Sequence, residues 1–170
     1  MKSYIYIFLS CLCCSLLWSC VTGGDSTDPF TKCKYGKPQP VFEGTFAKID
    51  SQKWEIKGMD GIEQVWFESG MHLELLQQGC NKVKQTFHFK LPGTFGADEN
   101  WVLLAASQFQ YLSGISERHF ELGIWGQAIV QDSSSLFLGE KISLQPGYSI
   151  KIDKISGGDF AVLMVELSED

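Results

Sequence analysis

Three residues have types and spacing suited to chemistry: His72, Glu74 and His88. They fall in two runs, 71–77 and 83–91, whose apolar residues alternate. Leu73 and Leu75 mark the buried side of the first run, Phe87 and Phe89 that of the second. If the runs form a hairpin around Cys80, both buried sets must face one way, so paired positions sum to an even number. A sum of 160 sets His72 opposite His88, and a sum of 162 sets Glu74 opposite His88. In either register the three side chains share the outer face, within reach of one another or of a common ion. Two imidazoles and a carboxylate can hold a zinc ion, or can serve as general acid and base in a hydrolase. The same residues also fit a solvated face with ordinary cross-strand pairs. Leu76 interrupts the polarity of that face, as a surface covered in part by a helix or a partner would require.

A second group is aromatic. Core and sheet positions are the commoner setting for such residues, yet Trp54, Trp66 and Phe67 lie in neighbouring runs and are candidates for an exposed binding patch. The signatures of known chemistries are missing. The chain has no GxSxG elbow, no phosphate-binding glycine loop, no HExxH pair and no EF-hand loop. No cofactor is implied. Asp and Glu number 20 against 14 Lys and Arg, a net charge of −6, and no basic run is interleaved with aromatics. That balance argues against a nucleic-acid partner, which requires a basic face.

The elements that must position these residues fall into three blocks. Residues 42–49, 54–57, 62–68, 71–77 and 83–91 are rich in aromatic and β-branched residues and read as antiparallel strands. Asp60-Gly61 is a turn signal between two of them. From Asp98, a residue type suited to an N-cap, to about 132 the pattern is helical. Trp101, Leu104, Ala105, Gln108 and Leu112 mark one face of a helix that Gly114 ends. Phe120, Ile124, Trp125, Ala128 and Ile129 mark a second helix, weakened by Gly123 and Gly126. Strands return at 136–138, 141–144, 148–155 and 160–167, with a hairpin turn at 156–159. Residues 160–167 are almost wholly apolar, which predicts a central strand buried on both faces. The expected class is α+β: a mainly antiparallel sheet with one or two helices, about 98–130, packed on one face.

The N-terminus reads as an address. Lys2 precedes an uncharged run from Tyr4 to Trp18, the length of a secretory apolar region and short for a membrane-spanning helix. The run ends in Leu17-Trp18-Ser19-Cys20. This resembles the lipobox of bacterial lipoproteins: an aliphatic residue, then a small residue just before the cysteine. The resemblance covers residues 1–20 alone. It implies cleavage after residue 19, acylation of Cys20 and attachment to a membrane. It also implies a place in the cell envelope, and in the outer membrane of a Gram-negative host, because Val21 stands where a retention aspartate would be. Removing residues 1–19 takes away Lys2 and no acid, which moves the charge from −6 to −7.

Residues 20–40 then read as a flexible tether and 41–170 as one globular domain. Of six cysteines, Cys33 and Cys80 alone lie beyond Cys20. In such a compartment they pair with each other if they pair at all. That bridge closes a loop of about 48 residues, for which the chain-entropy model gives on the order of 4 kcal/mol. Together these features predict a lipid-anchored, non-catalytic binding protein of the envelope with a protein partner, such as an inhibitor or immunity protein. The alternatives are a metal-dependent or acid/base hydrolase built on His72, Glu74 and His88, and an accessory subunit of an envelope assembly.

Overall fold

A computed structural model of the chain describes residues 28–42, 48–93, 95, 99–115, 119–157 and 160–170. Cys20, the segment before it and Asp98 lie outside the described residues. The fold is α+β. Among the described residues seven antiparallel strands form one sheet: β1 (Ile49–Lys57), β2 (Asp60–Phe67), β3 (His72–Gln78), β4 (Lys84–Pro92), β5 (Lys141–Gln145), β6 (Tyr148–Gly157) and β7 (Phe160–Glu169). Their spatial order is β1-β2-β3-β4-β7-β6-β5. Two meanders thus meet at the β4–β7 seam, and helices α1 (Trp101–Ser113) and α2 (His119–Gln131) connect them.

Period-two alternation decides what each face carries. Val65, Phe67, Leu73, Leu75, Phe87, Phe89, Leu163, Val165, Ile150 and Ile152 turn to the helix side and are buried. Trp101, Val102, Ala105, Ala106, Phe109 and Leu112 of α1 meet them in the same core. Phe109 packs edge-on against Phe87 and Phe89, with ring centroids 5.0 and 6.0 Å away. Such pairs contribute about 0.5–1.5 kcal/mol each beyond burial. Gly126 lets α2 approach α1 closely, since a Cβ there would lie 3.1 Å from Gln110 Cγ and 3.2 Å from the Ala106 carbonyl oxygen.

Several expectations change. Phe109, not Gln108, completes the buried face of α1, and Asn100 is its N-cap, with Oδ1 accepting from the Leu103 N–H at 3.1 Å. Ile124 of α2 is exposed. Residues 136–138 form no strand. The strand expected from residue 42 has its described part at β1, from Ile49, because residues 43–47 lie outside the described set. The β1–β2 turn falls on Gly58-Met59 rather than on Asp60-Gly61, since Lys57 already pairs with Asp60. Gly61 is a strand residue that lacks a side chain for another reason. A Cβ there would lie 2.3 Å from the ring of Trp54 and 2.8 Å from Pro38. Residues 160–167 are buried on one face, not two. Val162, Met164 and Glu166 alternate with buried neighbours and are half-exposed.

The largest departure concerns the expected tether. Residues 28–42 form a strap docked on the sheet. It opens with a 3₁₀ turn, Pro29–Lys32, capped by Asp28, and Phe30 in that turn is buried. Cys33 and Cys80 meet at disulfide geometry, with sulfurs 2.04 Å and Cα atoms 4.6 Å apart. The Tyr35 N–H donates to the Cys80 carbonyl at 3.3 Å, and the Tyr35 hydroxyl and Lys34 ammonium reach Glu169 at 2.9 and 3.1 Å. Lys34, then Tyr35, then the Val83 N–H hold the Glu169 carboxyl below its ordinary range. The Gln77 amide donates to the Gln39 carbonyl at 2.8 Å.

Farther along, the strap meets Glu63, a fully buried carboxylate on the helix side of β2. Its oxygens accept from the Val41 N–H at 2.7 Å, the Phe42 N–H at 2.9 Å and the Gln52 amide at 2.6 Å. Gln52 also donates to the Phe42 carbonyl. Removing the acceptor strands buried donors and opens a cavity, at a cost of about 3 kcal/mol. Glu63→Ala is therefore expected to lower the unfolding free energy by about 3 kcal/mol in chemical denaturation, and Gln64→Ala, one residue away on the opposite face, by no more than about 0.5 kcal/mol.

Candidate functional site

The β3–β4 register sums to 162. Glu74 pairs with His88, and His72 pairs with Lys90. Glu74 Oε1 lies 3.4 Å from His88 Nδ1, and its other oxygen accepts from the Gln64 amide at 3.0 Å. Gln64, Glu74 and His88 are direct neighbours across three strands, so these contacts run along one row of the sheet. At 3.4 Å the Glu74–His88 contact is long for a hydrogen bond. His72 belongs to the next row and turns away from this pair. Its ring stacks on Trp66, with centroids 4.7 Å apart and planes 10° from parallel. Its Nε2 is buried and makes no hydrogen bond. Among the described residues, no three of His, Cys, Asp and Glu group closely enough to hold a metal ion.

The aromatic trio is separated by the same alternation. Trp66 faces the open side of the sheet and Phe67 the core, where it is buried. Trp54 pairs with Glu63 and covers Gly61 on the helix side. Only Trp66 of the three is exposed on the side away from the helices.

That open side is a broad surface. Helices α1 and α2 pack against the other side. Phe160 is 40 % and Ile155 57 % exposed there, with Val162, Met164, Ile62 and Leu76 partly exposed between them. Near one end, Trp66, His72, Lys90, Pro92 and Phe160 line a shallow depression of about 430 Å³, and the Lys90 ammonium stands 4.8 Å over the Phe160 ring. Lysines 53, 57, 84, 90, 141 and 151 share the face with Glu55, Asp60, Glu74, Asp153 and Glu166, so the chain's acidic excess is not concentrated here.

A deeper cleft of about 500 Å³ lies on the helix side, at the end of the sheet beside the strap. Strap residues 35–39 line it, together with Glu121 and Trp125 of α2. Strands β3, β4, β6 and β7 contribute Gln77, Gln85, Tyr148 and Leu167. Gln77 and Gln85 are direct Cα partners, and both occupy inward-facing positions where alternation calls for apolar residues. The Trp125 and Tyr148 rings meet edge-on at 6.0 Å. The sequence reading missed this group, yet the parity that places Leu75 and Phe87 inward also places Gln77 and Gln85 inward.

Comparison with protein-family models, curated proteins and solved structures finds no match for the chain.

Burial against Trp66 is the main force on His72 and lowers its pKa from the ordinary histidine value; Glu74 opposes that shift and Lys90 adds to it. A histidine lowered in the folded state binds its proton more readily when unfolded. Its contribution to stability is thus present at neutral pH and lost as pH falls through the histidine range, near 6.5. An NMR titration is expected to show His72 protonating below that value, and Trp66→Ala is expected to move it upward by hydrating the ring.

Proposed function

We propose that the protein is a lipid-anchored, non-catalytic binding protein of the bacterial cell envelope, held to the membrane through Cys20 and engaging a protein partner. The observation that carries the binding half is the open face of a seven-stranded sheet, where Trp66, Ile155 and Phe160 remain exposed while two helices cover the other side. Exposed apolar and aromatic side chains rimmed by polar groups are characteristic of interfaces, and tryptophan is enriched among residues that dominate binding energy. The envelope half rests on the Leu17-Trp18-Ser19-Cys20 signal and on two cysteines at disulfide geometry, which suits an oxidising compartment. No helix among the described residues is long and apolar enough to cross a membrane, so the acyl chains would supply the anchorage.

The mixed charge of the open face favours a partner that presents both signs of charge around an apolar centre, rather than a uniformly basic one. An outer-membrane destination follows from Val21 in a Gram-negative host. The strap bears on how far the domain stands off the bilayer. Residues 21–27 are the only ones between Cys20 and the first described residue, Asp28, and fully extended they span roughly 25 Å.

Two readouts test this. Fatty-acid labelling of cells is expected to tag the chain and place it in the membrane fraction, and Cys20→Ala is expected to abolish both. A photo-crosslinking residue at Ile155 is expected to give a discrete protein adduct that one at Gln127, on α2, does not give. An unlabelled chain would refute the anchorage, and adducts absent or identical at both positions would refute binding through the open face.

A further inference from the structure

The cleft beside the strap has a chemical character of its own. In an antiparallel sheet with one covered face, an inward polar side chain is the exception, and it calls for a partner. Gln77 has one in the Gln39 carbonyl of the strap. The Gln85 side chain, directly opposite, makes no hydrogen bond among the described residues, and neither do the Trp125 indole N–H and the Tyr148 hydroxyl. The charges near them are already matched. Glu169 is engaged by Lys34 and Tyr35, and Lys84 pairs with Glu166 at 3.0 Å. At the rim, Lys37 and Glu121 are exposed and opposite in sign.

These features exclude more than they admit. An aliphatic ligand would bury the Gln85 amide without a partner, at about 1–3 kcal/mol. Among the described residues that line the cleft, an anion would find Lys37 as its one uncommitted cation, offset by Glu121. What fits is an uncharged molecule with several hydroxyls around its edge and an apolar C–H face. The amide donates to and accepts from neighbouring hydroxyls, the indole N–H and the phenol supply further bonds, and the Trp125 ring offers a surface for stacking. The volume lies within the roughly 300–1,000 Å³ typical of small-ligand sites.

We propose that this cleft is a binding site for a neutral saccharide of one or two rings, recognised by Gln85, Tyr148 and Trp125. It is distinct from the open face, and it stands whether or not Cys20 is acylated.

Calorimetric titration of the full chain tests it, in a detergent without a sugar headgroup. The probes are neutral disaccharides of glucose, galactose, mannose and N-acetylglucosamine, with a proline-rich peptide alongside. At least one disaccharide is expected to bind at one site per chain and to saturate. Gln85→Ala is expected to weaken it about tenfold or more, equivalent to about 1.4 kcal/mol. The Gln85 side chain is half-exposed and makes no hydrogen bond among the described residues, and its backbone pairing does not depend on it, so this variant keeps the fold. Trp125→Ala is expected to weaken binding as well, and Trp66→Ala, on the opposite face, to leave it unchanged. No binding of any disaccharide below about 10 mM would overturn the proposal. So would binding indifferent to Gln85→Ala, or binding of the peptide alone.

Discussion

A carboxylate buried in the face of a sheet is costly unless its oxygens are fully engaged. Glu63 is that carboxylate, and the groups that engage it include the backbone N–H groups of Val41 and Phe42 and the Gln52 amide. Glu63 therefore fixes where residues 41 and 42 meet the sheet. Around it the sequence has cleared space: Gly61 carries no side chain, so Trp54 and Pro38 can lie over β2. At the other end of the strap, Cys80 and Glu169 hold Cys33, Lys34 and Tyr35. The segment between these anchors, residues 35–39, is one wall of the cleft. Glu63 fixes the far side of that wall, and the Gln77–Gln39 bond and the Tyr35 contacts hold the rest of it.

A second constraint is the single helical layer. Two helices of 13 residues each cover one side of a seven-stranded sheet. Together they contain one acidic residue, Glu121, and no lysine or arginine. Lysines gather instead on the open side, among Trp66, Phe160 and Ile155. The molecule thus has an almost uncharged helical surface and a sheet surface of mixed charge. The opposing sheet face carries the aromatic groups proposed to meet a partner, whereas the helix-side cleft is polar, aromatic and near neutral.

Much of this was legible in the chain, because period-two alternation is a strong signal. Leu73, Leu75, Phe87 and Phe89 placed β3 and β4 correctly and confined their pairing to two registers, one of which is adopted. What alternation leaves open is how an outward side chain turns once it is there. Stacking on Trp66 draws His72 away from Glu74, and no composition or spacing announces that choice. The 160–167 run misled because apolar content was weighed above position: β7 lies beside the seam but has helices on one side only. The strap was misread because Gly, Pro and Ser describe a segment without periodicity. They do not say whether its N–H groups meet water or a buried carboxylate. Glu63 was the available clue, since the parity of Val65 and Phe67 already turns it inward.

The strap's dependence on Glu63 can be read directly by amide hydrogen exchange at Val41 and Phe42 in the full, oxidised chain. Both N–H groups are expected to exchange as slowly as the central strands and to become fast in Glu63→Ala. Exchange at the rate of a free chain in the unaltered protein would contradict the docked strap, and with it the fixed wall of the cleft.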